Sequence, residues 1–224
     1  MSVDVTLEDI AAGLRPFGLV PRGGFVFDRQ TLPPNLASEA RPVSVVMIGH
    51  FGSAIWPHFI KWQQLQSGVT DPLDAWSKHV LNRVAMKFGA VAVFPSDRPY
   101  QPFQQWAKRA EGISASPLGL LIHPQYGLWQ AFRGALLFDC EIEFSQQSTA
   151  SHPCDTCLEK PCLSACPVNA FNGTDFAVDC CRDYLSSEGF ECMENGCKAR
   201  LACPVGQEHT YLQDQQRFHM AAFA

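Results

Sequence analysis

Nine of the ten cysteines of this 224-residue chain lie between Cys154 and Cys203, and they constrain that segment more than any other feature. The segment opens with the pattern C-x2-C-x4-C-x3-C-P and closes with C-x4-C-x5-C-P. Each [4Fe–4S] cluster needs four thiolates, and cysteine runs that end in Cys-Pro are typical of sites that bind two such clusters. The sequence therefore predicts two [4Fe–4S] clusters.

The spacing also predicts which cysteines act together. In two-cluster ferredoxins the cysteine before the proline serves the other cluster. This rule assigns four cysteines to the first cluster: Cys154, Cys157, Cys162 and Cys203. The second cluster then takes Cys166, Cys192, Cys197 and either Cys180 or Cys181, between which the spacing does not decide.

Three other interpretations of the cysteines remain open. The first residues lack the basic start and apolar stretch of an export signal, so we expect a cytoplasmic chain, in which disulfides are rare. A zinc site would use C-x2-C but would leave most of the nine cysteines unexplained. A single cluster with spare thiols is the third alternative, because four residues separate Cys157 from Cys162 where the bacterial pattern has two.

Composition and charge narrow the classes of function. The chain is 46% apolar and 17% charged, with a net charge of −5, and no basic run suits binding to nucleic acid. No apolar run reaches the roughly 18 residues of a membrane span. We predict a larger domain over residues 1–145, which is long enough for its own core, and a small cluster-binding domain over residues 146–224.

The hydrophobic pattern of the first 145 residues predicts an α/β fold. Helices are expected at Leu7–Leu14 behind the N-cap Thr6, at Ala54–Leu65, from an Asp71 N-cap to Gly89, and at Pro102–Glu111. Buried strands are expected at Val43–Ile48, Ala90–Phe94, Leu118–Ile122 and Leu128–Phe138. Residues 22–42 read as a loop. Cys140, in the strand-like stretch Phe138–Phe144, is interpreted as a small packed residue.

A second informative segment runs from His123 to Gly134. Its sequence, His-Pro-Gln-Tyr-Gly-Leu-Trp-Gln-Ala-Phe-Arg-Gly, resembles the His-Pro-x-aromatic-Gly-x-Trp-x-x-x-Arg-Gly pattern of cobalamin-processing proteins of the human cblC type. Upstream, Thr70-Asp-Pro-Leu-Asp74 resembles the Thr-Asp-Pro-Val-Asp helix start of the same family. This resemblance covers residues of roughly 40–140.

The cysteine region resembles a different family, epoxyqueuosine reductase. That enzyme has a similar Leu-Ile-x-Pro-x-Tyr-Gly segment, a two-cluster domain and a Cys-x-x-Tyr-Leu element, which is Cys181-Arg-Asp-Tyr-Leu185 in this chain. The match implies that Cys181 is the fourth ligand of the second cluster. Reductive dehalogenases also combine cobalamin with two clusters. This chain departs from epoxyqueuosine reductase because it lacks a Trp-x-Gly-Lys-Asn element and is too short for the C-terminal helical repeats.

Together these resemblances imply a nitroreductase-like mixed sheet with flanking helices, joined to a small bacterial-ferredoxin-like domain. They also imply a bound cobalamin with contacts from His123, Tyr126, Trp129 and Arg133. Each residue has a structural alternative: a turn with His123 bonded to backbone, core packing for Trp129 and a salt bridge for Arg133. His209 and His219 are interpreted as surface or capping residues.

Three functions follow from these expectations. The first passes single electrons through two clusters to cobalamin, to reduce it or to remove its upper ligand. The second is a ferredoxin-type electron carrier without a corrin, and the third is a cobalamin-dependent reductase of an organic substrate. Each requires an electron-donor protein of the flavodoxin or ferredoxin-reductase type as partner. Neither nucleic acid nor a membrane is expected.

Overall fold

The computed structural model describes residues 5–34, 41–144 and 151–224. It is a mixed α/β fold with a small antiparallel sheet and several helices, and it divides into two compact units that interleave along the chain. The first unit comprises Met1–His50, Ala54–Gly112 and Ala131–Ser148; the second comprises Phe51–Ser53, Ile113–Gln130 and Thr149–Ala224. The predicted boundary after residue 145 lies outside the described residues and stays a prediction.

The first unit contains a four-stranded sheet. Its strands are β1 (Val20–Val26), β2 (Ser44–Phe51), β3 (Val91–Val93) and β6 (Gln130–Phe138), in the spatial order β1-β2-β6-β3. The β1–β2 and β3–β6 pairs are antiparallel. The inner strand β2 is buried over Ser44–His50, as its continuous apolar run predicts.

Four helices accompany this sheet: α1 (Leu7–Leu14), α2 (Trp56–Gln63), α3 (Pro72–Phe88) and α4 (Phe103–Glu111). Thr6 and Asp9 form a capping box at the start of α1, with side-chain and backbone bonds in both directions. The apolar face of α3 packs inward through residues that include Leu73, Trp76 and Leu81. These helices therefore begin and end within two residues of the predicted limits.

Four details of the first unit differ from the sequence predictions. Residues 22–26 of the predicted loop belong to β1, because an edge strand tolerates Pro21 and a register shift between Pro21 and Gly24. Residues 35–40 of the predicted loop lie outside the described part. Asp71 makes no side-chain cap, since its φ of 48° is left-handed and its carbonyl instead accepts from Asp74 and Ala75. β3 is an edge strand with Val91 41% exposed, so it is not buried.

The fourth difference concerns Cys140. The strand β6 ends at Phe138, and the Cys140 side chain is exposed instead of packed. Its carbonyl oxygen accepts a hydrogen bond from the Ser44 hydroxyl at 2.7 Å. The backbone of this segment is therefore held in place while the thiol faces solvent.

The second unit combines a two-stranded sheet with short helices. The antiparallel strands are β4 (Ser114–Ala115) and β5 (Leu121–Ile122), so the predicted strand over Leu118–Ile122 is shorter than expected. The helices are α5 (Pro161–Ser164), α6 (Val178–Ser187), α7 (Phe190–Asn195), α8 (Lys198–Leu201) and α9 (Gln213–Phe223). No helix in the described ranges has both the length and the apolar character to cross a bilayer.

Candidate functional site

Short helices and the turns beside them carry the cysteines of the second unit. Cys162, Cys181 and Cys192 lie within α5, α6 and α7, and Cys197 is the residue before α8. All ten cysteines of the chain are free thiols, so the disulfide alternative is not supported. The thiols also belong to the apolar core of this unit, which contains Leu118, Ile122, Leu128, Cys162, Cys166, Ala170, Ala199 and Cys203.

Four thiols, which we call the first thiol set, act on one another electrostatically: Cys154, Cys157, Cys162 and Cys203. Burial raises the pKa of the Cys154 thiol, and the neighbouring charges of Cys203, Cys162 and Cys157 raise it further. All four residues line one cavity together with Leu118, Ile122 and Leu128. The four cysteines that the spacing assigns to the first cluster thus line one cavity, and their role as cluster ligands stays a prediction.

A second group, the second thiol set, consists of Cys166, Cys181, Cys192 and Cys197. Burial, followed by the nearby Cys197, Cys166 and Cys192, raises the pKa of the Cys181 thiol to about 11. The pKa of Cys197 is also raised, first by burial, and Cys192 and Cys166 contribute. Mutual repulsion of this kind arises when several thiols converge without a compensating cation.

The two remaining cysteines are exposed. Cys180 also adds to the electrostatic environment of its neighbour Cys181, but its own thiol points to the Val168 carbonyl oxygen, 3.7 Å away. Cys140 belongs to the first unit. The geometry therefore favours Cys181 over Cys180 as the fourth member of the second set, in agreement with the Cys-x-x-Tyr-Leu element.

Backbone N–H groups point at several of these sulfurs. The N–H of Ala170 donates to the Cys166 sulfur at 3.3 Å. Those of Arg200 and Ala199 donate toward Cys197, and that of Val205 donates toward Cys203. Hydrogen bonds to sulfur stabilise thiolates and are one of the factors that set cluster potentials.

Two metal groups can be compared as occupants of the thiol sets: a zinc ion and a [4Fe–4S] cubane. Within the described residues, no three His, Cys, Asp or Glu side chains are arranged to bind a single metal ion. A tetrahedral zinc with Zn–S bonds of about 2.3 Å would hold its sulfurs roughly 3.8 Å apart. A cubane binds its four thiolates at separate iron atoms and therefore keeps them further apart. Two sets of four thiols match the number of ligands that two cubanes require.

The size of the cavity lined by the first thiol set limits what can enter it. Its open volume is about 10 Å³, roughly the room that one water needs. Metal–sulfur bonds near about 2.3 Å are much shorter than van der Waals contacts, so this volume understates the room for a group bonded to the four sulfurs. A free ligand, in contrast, would not fit there.

The predicted cofactor residues fall into different environments. His123 lies in a tight turn, where its backbone pairs with that of Gly127 through two bonds of 2.9 Å. Its Nδ1 accepts the N–H groups of Gln125 and Tyr126 at 3.1 and 3.2 Å. This geometry agrees with the turn alternative and explains why histidine suits the position. A role in cofactor binding stays a prediction.

Tyr126 is at the centre of an aromatic cluster in the second unit. Its ring stacks on Phe51 with centroids 3.6 Å apart, and His123 and His209 lie at 4.7 and 4.6 Å. The sequence analysis missed Phe51 in this cluster and treated His209 only as a surface or capping residue. Phe51 and His209 are far from Tyr126 in the sequence, so no local pattern predicted the cluster.

Trp129 is buried, with 1% of its surface exposed. Its ring contacts Tyr211 edge-on at 5.3 Å, and the Arg200 guanidinium lies over it at 4.5 Å. Its indole N–H has no hydrogen-bond partner within the described structure. Core packing therefore describes this residue better than an open stacking surface does. Arg200 was not among the predicted site residues, although its position between Cys197 and Cys203 in the sequence was a signal for it.

Arg133 lies in the first unit, on β6. Its Nη1 is 3.9 Å from the Asp74 carboxylate on α3, and its Nε donates to the Phe132 carbonyl. The structure thus forms the salt bridge that the sequence analysis kept as an alternative to ligand binding.

A larger open cavity of about 570 Å³ lies beside the first thiol set in the second unit. His152, Cys154, Asp155, Lys160, Ser116 and Thr174 are among its lining residues. The Nδ1 atom of His152 accepts the N–H of Cys154 at 3.2 Å, which fixes the turn into the first thiol set. The cavity is too open and too small to enclose a corrinoid completely, but it gives a ligand access to that set.

Comparison with solved structures finds a related fold. The chain is similar in fold to epoxyqueuosine reductase. The structure of that enzyme from Streptococcus thermophilus superposes with a TM-score of 0.55 at 18% identity and covers 89% of this chain. The chain spans 66% of the length of the reductase, just under two thirds. No family model matches the sequence, and no curated protein matches it.

Proposed function

We propose that this chain is an iron–sulfur oxidoreductase that passes single electrons through two [4Fe–4S] clusters to a bound cobalamin. The observation that carries the proposal is the division of eight thiols into two converging sets of four. The membership of these sets agrees with the crossed pattern of two-cluster ferredoxins. The proposal includes a ferredoxin-like second unit and a nitroreductase-like first unit.

The residues of the chain would perform three tasks in such a protein. The eight cysteines hold the clusters, and the N–H groups of Ala170, Arg200 and Val205 stabilise the negative charge on the sulfurs. The apolar residues Leu118, Ile122 and Leu128 keep water from the first thiol set. When bound, the clusters would supply one-electron steps at low potential and the corrin cobalt would supply the reductive chemistry.

Cobalamin itself is supported by the resemblance of residues 123–134 to cobalamin-processing proteins. In this proposal, His123 and Tyr126 contact the corrin, and Trp129 and Arg133 are further proposed contacts. The 570 Å³ cavity beside Cys154 satisfies the requirement that something can approach the first cluster. A corrinoid would extend beyond this cavity.

Two reactions remain for the bound cobalamin. The resemblance of the N-terminal part to cobalamin-processing proteins favours reduction of the cobalamin itself. The fold similarity to epoxyqueuosine reductase favours reduction of an organic substrate by the cobalamin. Either reaction requires an electron-donor protein of the flavodoxin or ferredoxin-reductase type. An assay that combines cobalamin, dithionite-reduced protein and candidate organic substrates distinguishes the two reactions. Only reduction of an organic substrate by the cobalamin consumes such a substrate.

The decisive experiment begins with anaerobic reconstitution and an assay of iron and sulfide. We expect about eight irons per chain and two interacting paramagnetic clusters after reduction. Titration with cob(II)alamin should then produce a stoichiometric complex with a base-off cobalt signal. About four irons per chain would contradict the two-cluster proposal. Intact clusters without any cobalamin complex would leave the ferredoxin-type electron carrier as the function.

A further inference from the structure

Arg200 is a partly buried cation in an unusual position between the two thiol sets. Its backbone N–H donates toward the sulfur of Cys197, and its carbonyl oxygen accepts the N–H of Cys203 at 3.2 Å. Cys197 belongs to the second thiol set and Cys203 to the first. One residue therefore bonds through its backbone to a ligand position of each set.

The side chain of Arg200 is clamped by aromatic rings. Its guanidinium carbon lies 4.5 Å from the centroid of Trp129 and 4.5 Å from that of Tyr211. Both rings are buried, with exposures of 1% and 3%. Aromatic faces attract a cation, but they do not neutralise its charge.

The guanidinium also bonds to a residue that lines the cavity of the first thiol set. Its Nη2 donates to the Leu128 carbonyl oxygen at 2.5 Å, and Leu128 lines the cavity shared by the four thiols of that set. Because of this bond, the positive charge lies next to the wall of the first site. The distance of the guanidinium from the second thiol set is not fixed by a bond of this kind.

No carboxylate within the described residues forms an ion pair with Arg200, and its buried Nε has no hydrogen-bond partner there. Two other cations of this unit have acidic partners: Lys198 pairs with Glu191, and Arg217 pairs with Glu194 and Asp214. A charge that is even partly buried is unfavourable when it has no counter-charge. The chain therefore retains at Arg200 a positive charge that its own acidic residues do not balance.

We propose that Arg200 supplies the counter-charge for the cluster of the first thiol set and thereby raises its reduction potential. The inference rests on the two-cluster function proposed above. Four thiolates give a cubane site a net negative charge, and reduction adds one electron to it. A fixed cation nearby favours the reduced state more than the oxidised state, because its attraction grows with the added negative charge. Arg200 is a positioning residue that acts through its field and binds neither iron nor substrate.

Lys160 is the other cation close to this set, since its charge lowers the pKa of the Cys154 thiol against the raising effect of burial. It lies at the N-cap of α5 and lines the open 570 Å³ cavity. Solvent in that cavity screens its charge, whereas the Arg200 guanidinium lies between buried rings. We therefore expect Arg200 to have the larger effect on the potential.

The test is a spectroelectrochemical titration of the reconstituted two-cluster protein and of R200Q, R200K and R217Q. R200Q removes the charge, R200K keeps it on a different side chain, and R217Q removes an exposed, paired charge from the same unit. We expect R200Q to lower one midpoint potential by the equivalent of about a tenfold change in the one-electron equilibrium, which is about 59 mV. R200K and R217Q should retain the potentials of the unaltered protein. The lowered potential should be the one that K160Q also shifts, by a smaller amount.

Three results would overturn the proposal: unchanged potentials in R200Q, equal decreases in R200Q and R200K, or a shift confined to the potential that K160Q leaves unaltered. Equal decreases would show that the aromatic clamp, not the charge, affects the cluster. If the unaltered protein does not bind two clusters, the proposed function fails and the question about Arg200 does not arise.

R200H covers the case in which R200Q does not load iron. The introduced imidazole is charged at about pH 5.5 and neutral at about pH 8.5, given its ordinary pKa of about 6.5. Between these pH values, we expect the reduction potential of the first cluster in R200H to fall by the equivalent of about a tenfold change in the one-electron equilibrium. This fall is in addition to any change that the unaltered protein shows. The same pH dependence in both proteins would contradict the inference.

Discussion

The Asp74 carboxylate and the Arg133 guanidinium lie 3.9 Å apart and join α3 to β6. Asp74 ends the stretch Thr70–Asp74, and Arg133 is the penultimate residue of the segment from His123 to Gly134; both stretches resemble cobalamin-processing proteins. The side chain of Asp74 is 47% exposed and that of Arg133 18%. The contact gives both residues a structural role that needs no ligand.

This ion pair leads to a prediction that separates a structural role from a ligand-binding role. A pair that is long and partly exposed contributes less than about 1 kcal/mol to the free energy of unfolding. D74N and R133Q should therefore have similar, small effects on thermal unfolding. If Arg133 also binds the cofactor, R133Q should weaken cobalamin binding about tenfold or more, whereas D74N should leave it unchanged.

The measurement is a spectral titration of each variant with cob(II)alamin, together with its unfolding curve. Equal binding by D74N, R133Q and the unaltered protein would remove Arg133 from the cofactor site. A stability loss well above about 1 kcal/mol in R133Q alone would point to additional contacts of Arg133 within the fold.

The second prediction concerns the adjacent thiols of Cys180 and Cys181. Cys181 lies among Cys197, Cys166 and Cys192, whereas the exposed Cys180 points to a carbonyl oxygen. C181S should therefore lose one cluster and retain about half of the iron, since each cubane needs four thiolates. C180S should bind iron like the unaltered protein, and C140S provides a control in the first unit.

Iron and sulfide assays after reconstitution check this prediction, with electron paramagnetic resonance to count the remaining clusters. Full iron content in C181S combined with loss in C180S would reverse the assignment. Partial loss in both variants would indicate that either thiol can complete the second set.

Signals that are local in sequence predicted their elements well. Thr6 caps α1 as expected, with Asp9 completing a capping box that was not predicted, and Pro72 and Gly89 bound α3 as their backbone preferences require. The predicted grouping of the thiols rests on local cues of the same kind and stays a prediction. Cys-Pro turns and short helices restrict which cysteines can converge.

Features that depend on distant partners were not predictable. The strand β1 contains Pro21, Gly23 and Gly24, and it forms because β2 offers an antiparallel partner. Its intrinsic preferences argue against a strand, so pairing overrides propensity. Likewise, the clamp of Trp129, Arg200 and Tyr211 unites segments 71 and 11 residues apart, and no local pattern indicates it.

The third prediction tests how closely the turn at Gly127 is packed. Gly127 has a φ of +54°, and a Cβ placed on it would lie 1.9 Å from the Val205 carbonyl oxygen. Val205 is two residues after Cys203, so a shift here would displace a ligand position of the first thiol set. G127A should therefore be clearly destabilised and should lose iron from that set.

Gly119 provides a matched control, because its φ is +76° but nothing lies within 4 Å of an added Cβ. G119A should cost only the left-handed backbone penalty of about 1–2 kcal/mol and should keep its iron. Unfolding curves and iron assays of both variants check the comparison. Equal effects of the two substitutions would show that the close approach at Gly127 has no energetic consequence.

The last prediction concerns the buried pair of Arg22 and Glu111, which connects β1 to α4. The Arg22 side chain is 0% exposed and that of Glu111 is 12%, and the Arg22 Nη2 and Glu111 Oε2 atoms are 2.5 Å apart. The Arg22 guanidinium also lies 4.4 Å from the Phe132 ring. Removal of one partner leaves the other charge buried without compensation, so E111A should lower the free energy of unfolding by about 3–5 kcal/mol.

The pair of Lys78 and Asp97 is the control, because it has similar chemistry but side chains that are 40% and 46% exposed. D97A should cost less than about 1 kcal/mol, since water screens the charges and solvates Lys78 after the substitution. Denaturant unfolding of E111A, D97A and the unaltered protein measures both differences. A cost for E111A as small as that for D97A would mean that water reaches Arg22 once its partner is removed, and that β1 does not depend on this ion pair for its position on α4.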